Sequence, residues 1–130
     1  MDLRKRHEPD PQPQTFKGYS AVATLYPDRV EIQRNQIAKL AGHKDSTTLL
    51  VDVLKPHGKE PTRLINGYVH LATEADPPHL RTLTLDLPKT WTGNERSILF
   101  TWNQRDTQAK FHAAVLDAWR RAYPGNEILD

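Results

Sequence analysis

The chain has 130 residues, no cysteine, 37% hydrophobic and 26% charged residues, and a formal charge of +2 from 18 Lys/Arg against 16 Asp/Glu. That length suffices for one domain with its own core, and the missing cysteine rules out a disulfide framework, a thiolate nucleophile and a cysteine-based zinc site. No run approaches the ~20 apolar residues of a membrane span, and the two signs of charge are mixed along the chain instead of gathered in a basic stripe.

Residues 1–14, MDLRKRHEPDPQPQ, hold Pro9, Pro11 and Pro13, with only Met1 and Leu3 as apolar residues. Such a segment cannot offset its ordering entropy and is expected as a disordered tail, with one folded domain over 15–130. It lacks the apolar stretch of a secretory signal, so the cytoplasm is the expected compartment. FKGYSAVATLY (16–26) has the aromatic and β-branched content of a strand, and Gly18 marks a bulge or bend. YPDR (26–29) offers Pro27 and Asp28 for a type I turn. Val30 and Ile32 then alternate with charged and polar residues as a second strand, which predicts a hairpin.

IAKLAG (37–42) fits either one helical turn or a continuation of that strand. TTLLVDVL (47–54) is predicted as a third strand with Leu49, Val51 and Val53 on one face. KPHGKEPT (55–62) is expected as a long loop. RLINGYVHLAT (63–73) alternates, with Ile65, Gly67, Val69 and Leu71 on one face and Asn66, Tyr68 and His70 on the outward one. Beyond a break at EADPPH (74–79), LRTLTLDL (80–87) turns Leu83, Leu85 and Leu87 inward, and a polar loop carries Trp91. ILFTW (98–102) aligns Ile98, Phe100 and Trp102.

The last element is helical. Phe111, Ala114, Val115, Ala118, Trp119 and Ala122 form one apolar stripe roughly 140° wide at 100° per residue. Asp106 or Thr107 is the expected N-cap, Arg120 and Arg121 suit the negative end of the helix dipole, and Pro124-Gly125 stops it.

Six or seven mostly antiparallel strands closed by one C-terminal helix make an α+β, mainly β, domain. In FKGYSAVATLYPDRVEI, NGYVHL and ILFTWNQRDTQAKFHAAV the chain resembles the small pleckstrin-homology-like (PH-like) domains of unknown function found in actinobacteria and their phages. The resemblance spans roughly residues 16–123. It implies a PH-like barrel plugged by the helix, and a binding or scaffolding role in place of catalysis. PH domains that bind phosphoinositides carry several basic residues around the first hairpin, where this chain has Arg29 beside Asp28.

Reactive motifs are scarce. The histidines at 7, 43, 57, 70, 79 and 112 show neither HxH nor HExxH spacing, so neither a metal nor a cofactor is expected. Ser97 can be grouped with His112 and Asp106 or Asp117, but NERSI has no nucleophile elbow, and a plain strand-start hydroxyl is the expectation. The densest basic feature is Lys55, His57, Lys59 and Arg63, an anion site for a lipid headgroup or nucleic acid. The other candidate is apolar. His112, Leu116, Trp119 and Tyr123 widen the helix's apolar arc to ~200°, more than a single packed face uses. Either loops including Trp91 cover this flank, or it is the contact surface for a protein partner or a second copy.

Overall fold

The computed structural model describes residues 12–76 and 94–122. Within them FKGYSAVATLY forms two strands, not one: β1 (Gln14–Gly18) and β2 (Ala21–Leu25). They pair antiparallel with Gly18 opposite Ala21, leaving Tyr19 and Ser20 as the turn, and Ser20 takes a left-handed φ of 58°. A Cβ on Gly18 would lie 2.6 Å from the Leu99 carbonyl oxygen. This glycine therefore ends a strand and admits a neighbouring one, where a bulge or bend was expected. β1 also reaches Gln14, the last residue of the expected tail.

β3 (Arg29–Arg34) follows the Pro27–Asp28 turn and pairs with β2, Leu25 opposite Val30, as its alternation predicts. IAKLAG takes the helical alternative: α1 (Gln36–Leu40) is capped by the Asn35 side chain, which accepts the Ala38 N–H at 2.8 Å. β4 (Ser46–Leu49) completes a four-stranded sheet in the order β1-β2-β3-β4.

The third predicted strand is cut short. After Leu49 the chain winds into a 3₁₀ turn, Leu50–Asp52. Thr48 is the buried residue of β4, so Leu49 points outward at 45% exposed, and the turn then buries Leu50 and Val53 while Val51 stays 54% exposed. The expectation that Leu49, Val51 and Val53 share one face is thus corrected: Val53 lies in the core, and Leu49 and Val51 do not. The expected loop at 55–62 is corrected as well, because Lys55–Lys59 is strand β5. Proline masked it, and Pro56 is tolerated because β5 is an edge strand.

β5 pairs with β6 (Gly67–Ala72) and β6 with β7 (Ser97–Phe100), giving a second antiparallel sheet. Val69 and Leu71 join Ile98 and Phe100 in the core, as the alternation predicts. The opposite face of β6 was expected to point outward, yet Tyr68 and His70 are buried too. LRTLTLDL, His79 and Trp91 lie outside the described residues.

β7 ends at Phe100, so Trp102 does not share its face. Instead Trp102–Gln104 is a 3₁₀ turn that runs into α2 (Arg105–Ala122). The cap is Thr101, not Asp106 or Thr107: the Gln104 Oε1 accepts the Thr101 N–H at 3.0 Å, half of a T-x-x-Q capping box. Phe111, Val115 and Ala118 are buried, and Ala114, Trp119 and Ala122 pack partly against the core, reproducing the predicted stripe. Gln108 joins them, its Nε2 donating to the Tyr68 carbonyl at 3.2 Å. The Phe111 ring lies 5.0 Å from Phe16 and 6.1 Å from Phe100, so one side chain of the helix binds both sheets into a common core.

The fold is α+β and mainly β: antiparallel sheets of four and three strands with a C-terminal helix packed on both. Hydrogen bonds tie the sheets at one corner. Tyr19 N–H donates to the Leu99 carbonyl at 2.7 Å, and Arg34 Nη2 donates to the carbonyls of Ser97 at 2.7 Å and Glu95 at 3.1 Å. Among the described residues no strand ladder closes the sheets into a barrel.

Candidate functional site

The β6–β7 register sets His70 opposite Ser97. The turn after β6 folds Asp76 back, with Asp76 N–H on the Thr73 carbonyl and Thr73 N–H on Asp76 Oδ2, each at 3.0 Å. The result is a chain of polar groups: Ser97 Oγ lies 2.6 Å from His70 Nδ1, and His70 Nε2 lies 3.0 Å from Asp76 Oδ2. Asp76 Oδ1 accepts from Arg96 Nη2 at 2.5 Å and from Asn94 Nδ2 at 3.2 Å.

Burial pushes the His70 pKa down to about 4, with the Asp76 carboxylate opposing it. The ring is therefore neutral at pH 7, donating Nε2–H to Asp76 and accepting the Ser97 hydroxyl proton at Nδ1. For Asp76, burial acts upward, but the Thr73 N–H, His70 and Arg96 outweigh it and hold the carboxyl below its usual range.

A serine on an imidazole anchored by a carboxylate has the hydrogen-bond order of a nucleophile relay. Ser97, His70 and Asp76 are 1%, 0% and 2% exposed, and the relay ties β6, β7 and the turn after β6 together. The grouping of Ser97 with His112 and Asp106 or Asp117 does not form, since His112 packs on β5 and Asp117 pairs with Arg121. Sequence reasoning missed the relay because His70 was assigned to an open face and Asp76 to a chain break. The available signal was T-E-A-D (73–76), a turn that returns an acid toward polar positions sharing one sheet face.

The helix flank has its own occupant. His112 lies over β5 at its glycine, where a Cβ on Gly58 would meet His112 Nδ1 at 2.5 Å. Burial lowers the His112 pKa, a hydrogen bond to the Pro56 carbonyl opposes the shift, and Lys55 adds to the lowering. Trp119 Nε1 donates to the Val53 carbonyl at 2.8 Å. The Pro56 carbonyl of β5 and the Val53 carbonyl just before that strand are thus taken by helix side chains, with partly buried Leu116 on the same flank. Tyr123 lies outside the described residues.

The basic group does not converge into a cage. Lys55, His57 and Lys59 alternate along β5, His57 is buried opposite His70, and Arg63 stands in the next loop with its guanidinium 5.4 Å from the Trp102 ring centre. Among the described residues no cluster of three metal-ligating side chains exists, and no described helix is long and apolar enough to cross a membrane.

Exposed apolar surface gathers elsewhere. α1 buries only Ala38 and leaves Ile37 77% and Leu40 83% exposed, and Tyr19 of the β1–β2 turn is 54% exposed. Tyr19 and Ile37 line a groove of about 190 Å³ with Ala41, Leu99, Arg34 and His43. Comparison of the chain with family models, curated proteins and solved structures finds no match.

Proposed function

We propose that this chain is a non-enzymatic module of PH-like architecture that works by docking a protein, a partner or a second copy of itself, on the surface formed by Tyr19, Ile37 and Leu40. The observation that carries the proposal is the exposure of three large apolar side chains: Tyr19 and Ile37, which line one groove, and Leu40, three residues on from Ile37 in α1. A soluble domain rarely leaves contiguous apolar surface uncovered unless something binds there. The element order supports the architecture: four antiparallel strands, three more, then a helix touching both sheets. The buried relay supports a binding role, because the most reactive-looking group of side chains is spent on structure. The α2 flank is the poorer docking surface, because His112 and Trp119 already bond the backbone carbonyls of Pro56 and Val53.

The test is the paired substitution of Ile37→Asp and Leu40→Asp. Both side chains are more than three-quarters exposed, so the unfolding free energy should move by no more than about 0.5 kcal/mol for each. Sedimentation over a concentration series reads self-association. A wild type that associates and a variant that stays monomeric support docking of a second copy. A monomeric wild type excludes a second copy as the occupant, and equal association of both chains rejects the surface.

A further inference from the structure

We infer that the tip of the β5–β6 hairpin seats on an anionic lipid bilayer, with Leu64 and Ile65 entering it and Arg63 and Arg105 meeting its headgroups. Leu64 is the most exposed large apolar residue described, at 94%, and Ile65 beside it is 50% exposed. Their exposure is held in place by the backbone. Thr62 N–H donates to the Ile65 carbonyl at 2.8 Å, and Thr62 Oγ1 accepts from the N–H groups of Ile65 at 3.0 Å and Leu64 at 3.3 Å. A tip already ordered costs little further entropy on binding.

The tip stands next to an aromatic and two cations. The Arg63 and Arg105 guanidiniums lie 5.4 and 4.1 Å from the Trp102 ring centre, and Arg105 Nη1 also donates to the Trp102 carbonyl at 2.9 Å. Among the described residues neither guanidinium is paired with a carboxylate. Aliphatic tip, indole and adjoining cations are the parts of an interfacial anchor: the aliphatics enter the acyl boundary, the indole sits at headgroup level, and the cations meet anionic lipid.

A protein partner fits this tip less well. A stable protein interface needs about 800 Å² from each side, whereas the tip offers two side chains, and a bilayer accepts such a point insertion. The charge is modest: Lys59, Arg63 and Arg105 against the neighbouring Glu60 and Asp106 leave +1. Insertion of Leu64 therefore provides most of the binding, and added salt weakens it without abolishing it. This surface does not include α1, so its failure leaves the protein-docking proposal standing.

Co-sedimentation with vesicles tests it, using phosphatidylcholine alone and an equimolar mixture with phosphatidylserine. The wild type should partition onto the mixed vesicles and several-fold less onto phosphatidylcholine. Leu64→Asp should lower partition at least about tenfold, the scale of withdrawing one buried leucine. Arg63→Gln and Arg105→Gln should each lower it about fivefold, the loss of one cation near an anionic leaflet. Circular dichroism of the variants should match the wild type, because the substituted side chains are exposed. Absence of wild-type sedimentation, equal binding to both vesicles, or unchanged binding of Leu64→Asp overturns the inference.

Discussion

Replacing His70 with asparagine should flatten the dependence of stability on pH. In the folded chain His70 titrates near 4, against about 6.5 when unfolded. Between those values the unfolded state binds a proton that the folded state refuses. Stability therefore rises with pH across the window, with a slope approaching ~1.4 kcal/mol per pH unit. Integrated from pH 7 to 4, this single ring removes roughly 3 kcal/mol, a large part of the ~5–15 kcal/mol that holds a small domain folded. Asp76 acts in the same direction but lower, since a depressed carboxyl loses its contribution only as pH falls below the unfolded value near 4. His112, also lowered by burial, adds a similar slope to both proteins and cancels in the comparison.

Urea unfolding followed by tryptophan fluorescence, from pH 7 down to pH 4, measures the difference. His70→Asn loses absolute stability because it gives up buried hydrogen bonds, but the diagnostic quantity is the slope. The wild-type curve should be steeper by nearly one proton. Parallel curves would refute both the neutral tautomer and the buried relay built on it.

Two further substitutions probe the helix seat on β5. Gly58→Ala places a methyl group against the His112 ring and should cost about 1–3 kcal/mol by urea titration, and an unchanged midpoint would mean that the helix does not rest there. Trp119→Phe removes the bond to the Val53 carbonyl and should cost about 1 kcal/mol. It should also speed amide exchange around Val53 more than in β2, and uniform exchange would contradict a helix anchored just before β5.

Elements whose period ran unbroken were legible in the sequence. The α2 stripe from Phe111 to Ala122, the β2–β3 hairpin and the alternation of Val69 and Leu71 all follow from apolar spacing. Errors came where a local backbone event interrupted the period. The turn at Tyr19–Ser20 divides one strand into two, the 3₁₀ turn at Leu50 ends the next one early, and Pro56 disguises β5 as a loop. Thr101 was passed over as cap because Trp102 looked like the end of a strand, although T-W-N-Q carries the capping-box pattern. The site was less legible still. Burial of His70, Ser97 and Asp76 depends on what covers the back of β6, and no pattern within one strand reveals that. Exposure of Ile37 and Leu40 depends on which way a five-residue helix rolls once Asn35 caps it.

The most direct test of the central claim, that the work is done by the Tyr19–Ile37–Leu40 surface, is site-specific photo-crosslinking in living cells. A photoreactive side chain replaces Leu40 in one chain and Ala109, exposed on α2, in another. Discrete protein adducts from position 40, absent from position 109 and lost when Ile37→Asp is added, are the predicted result. No adduct at position 40, or the same adducts from both positions, would contradict it.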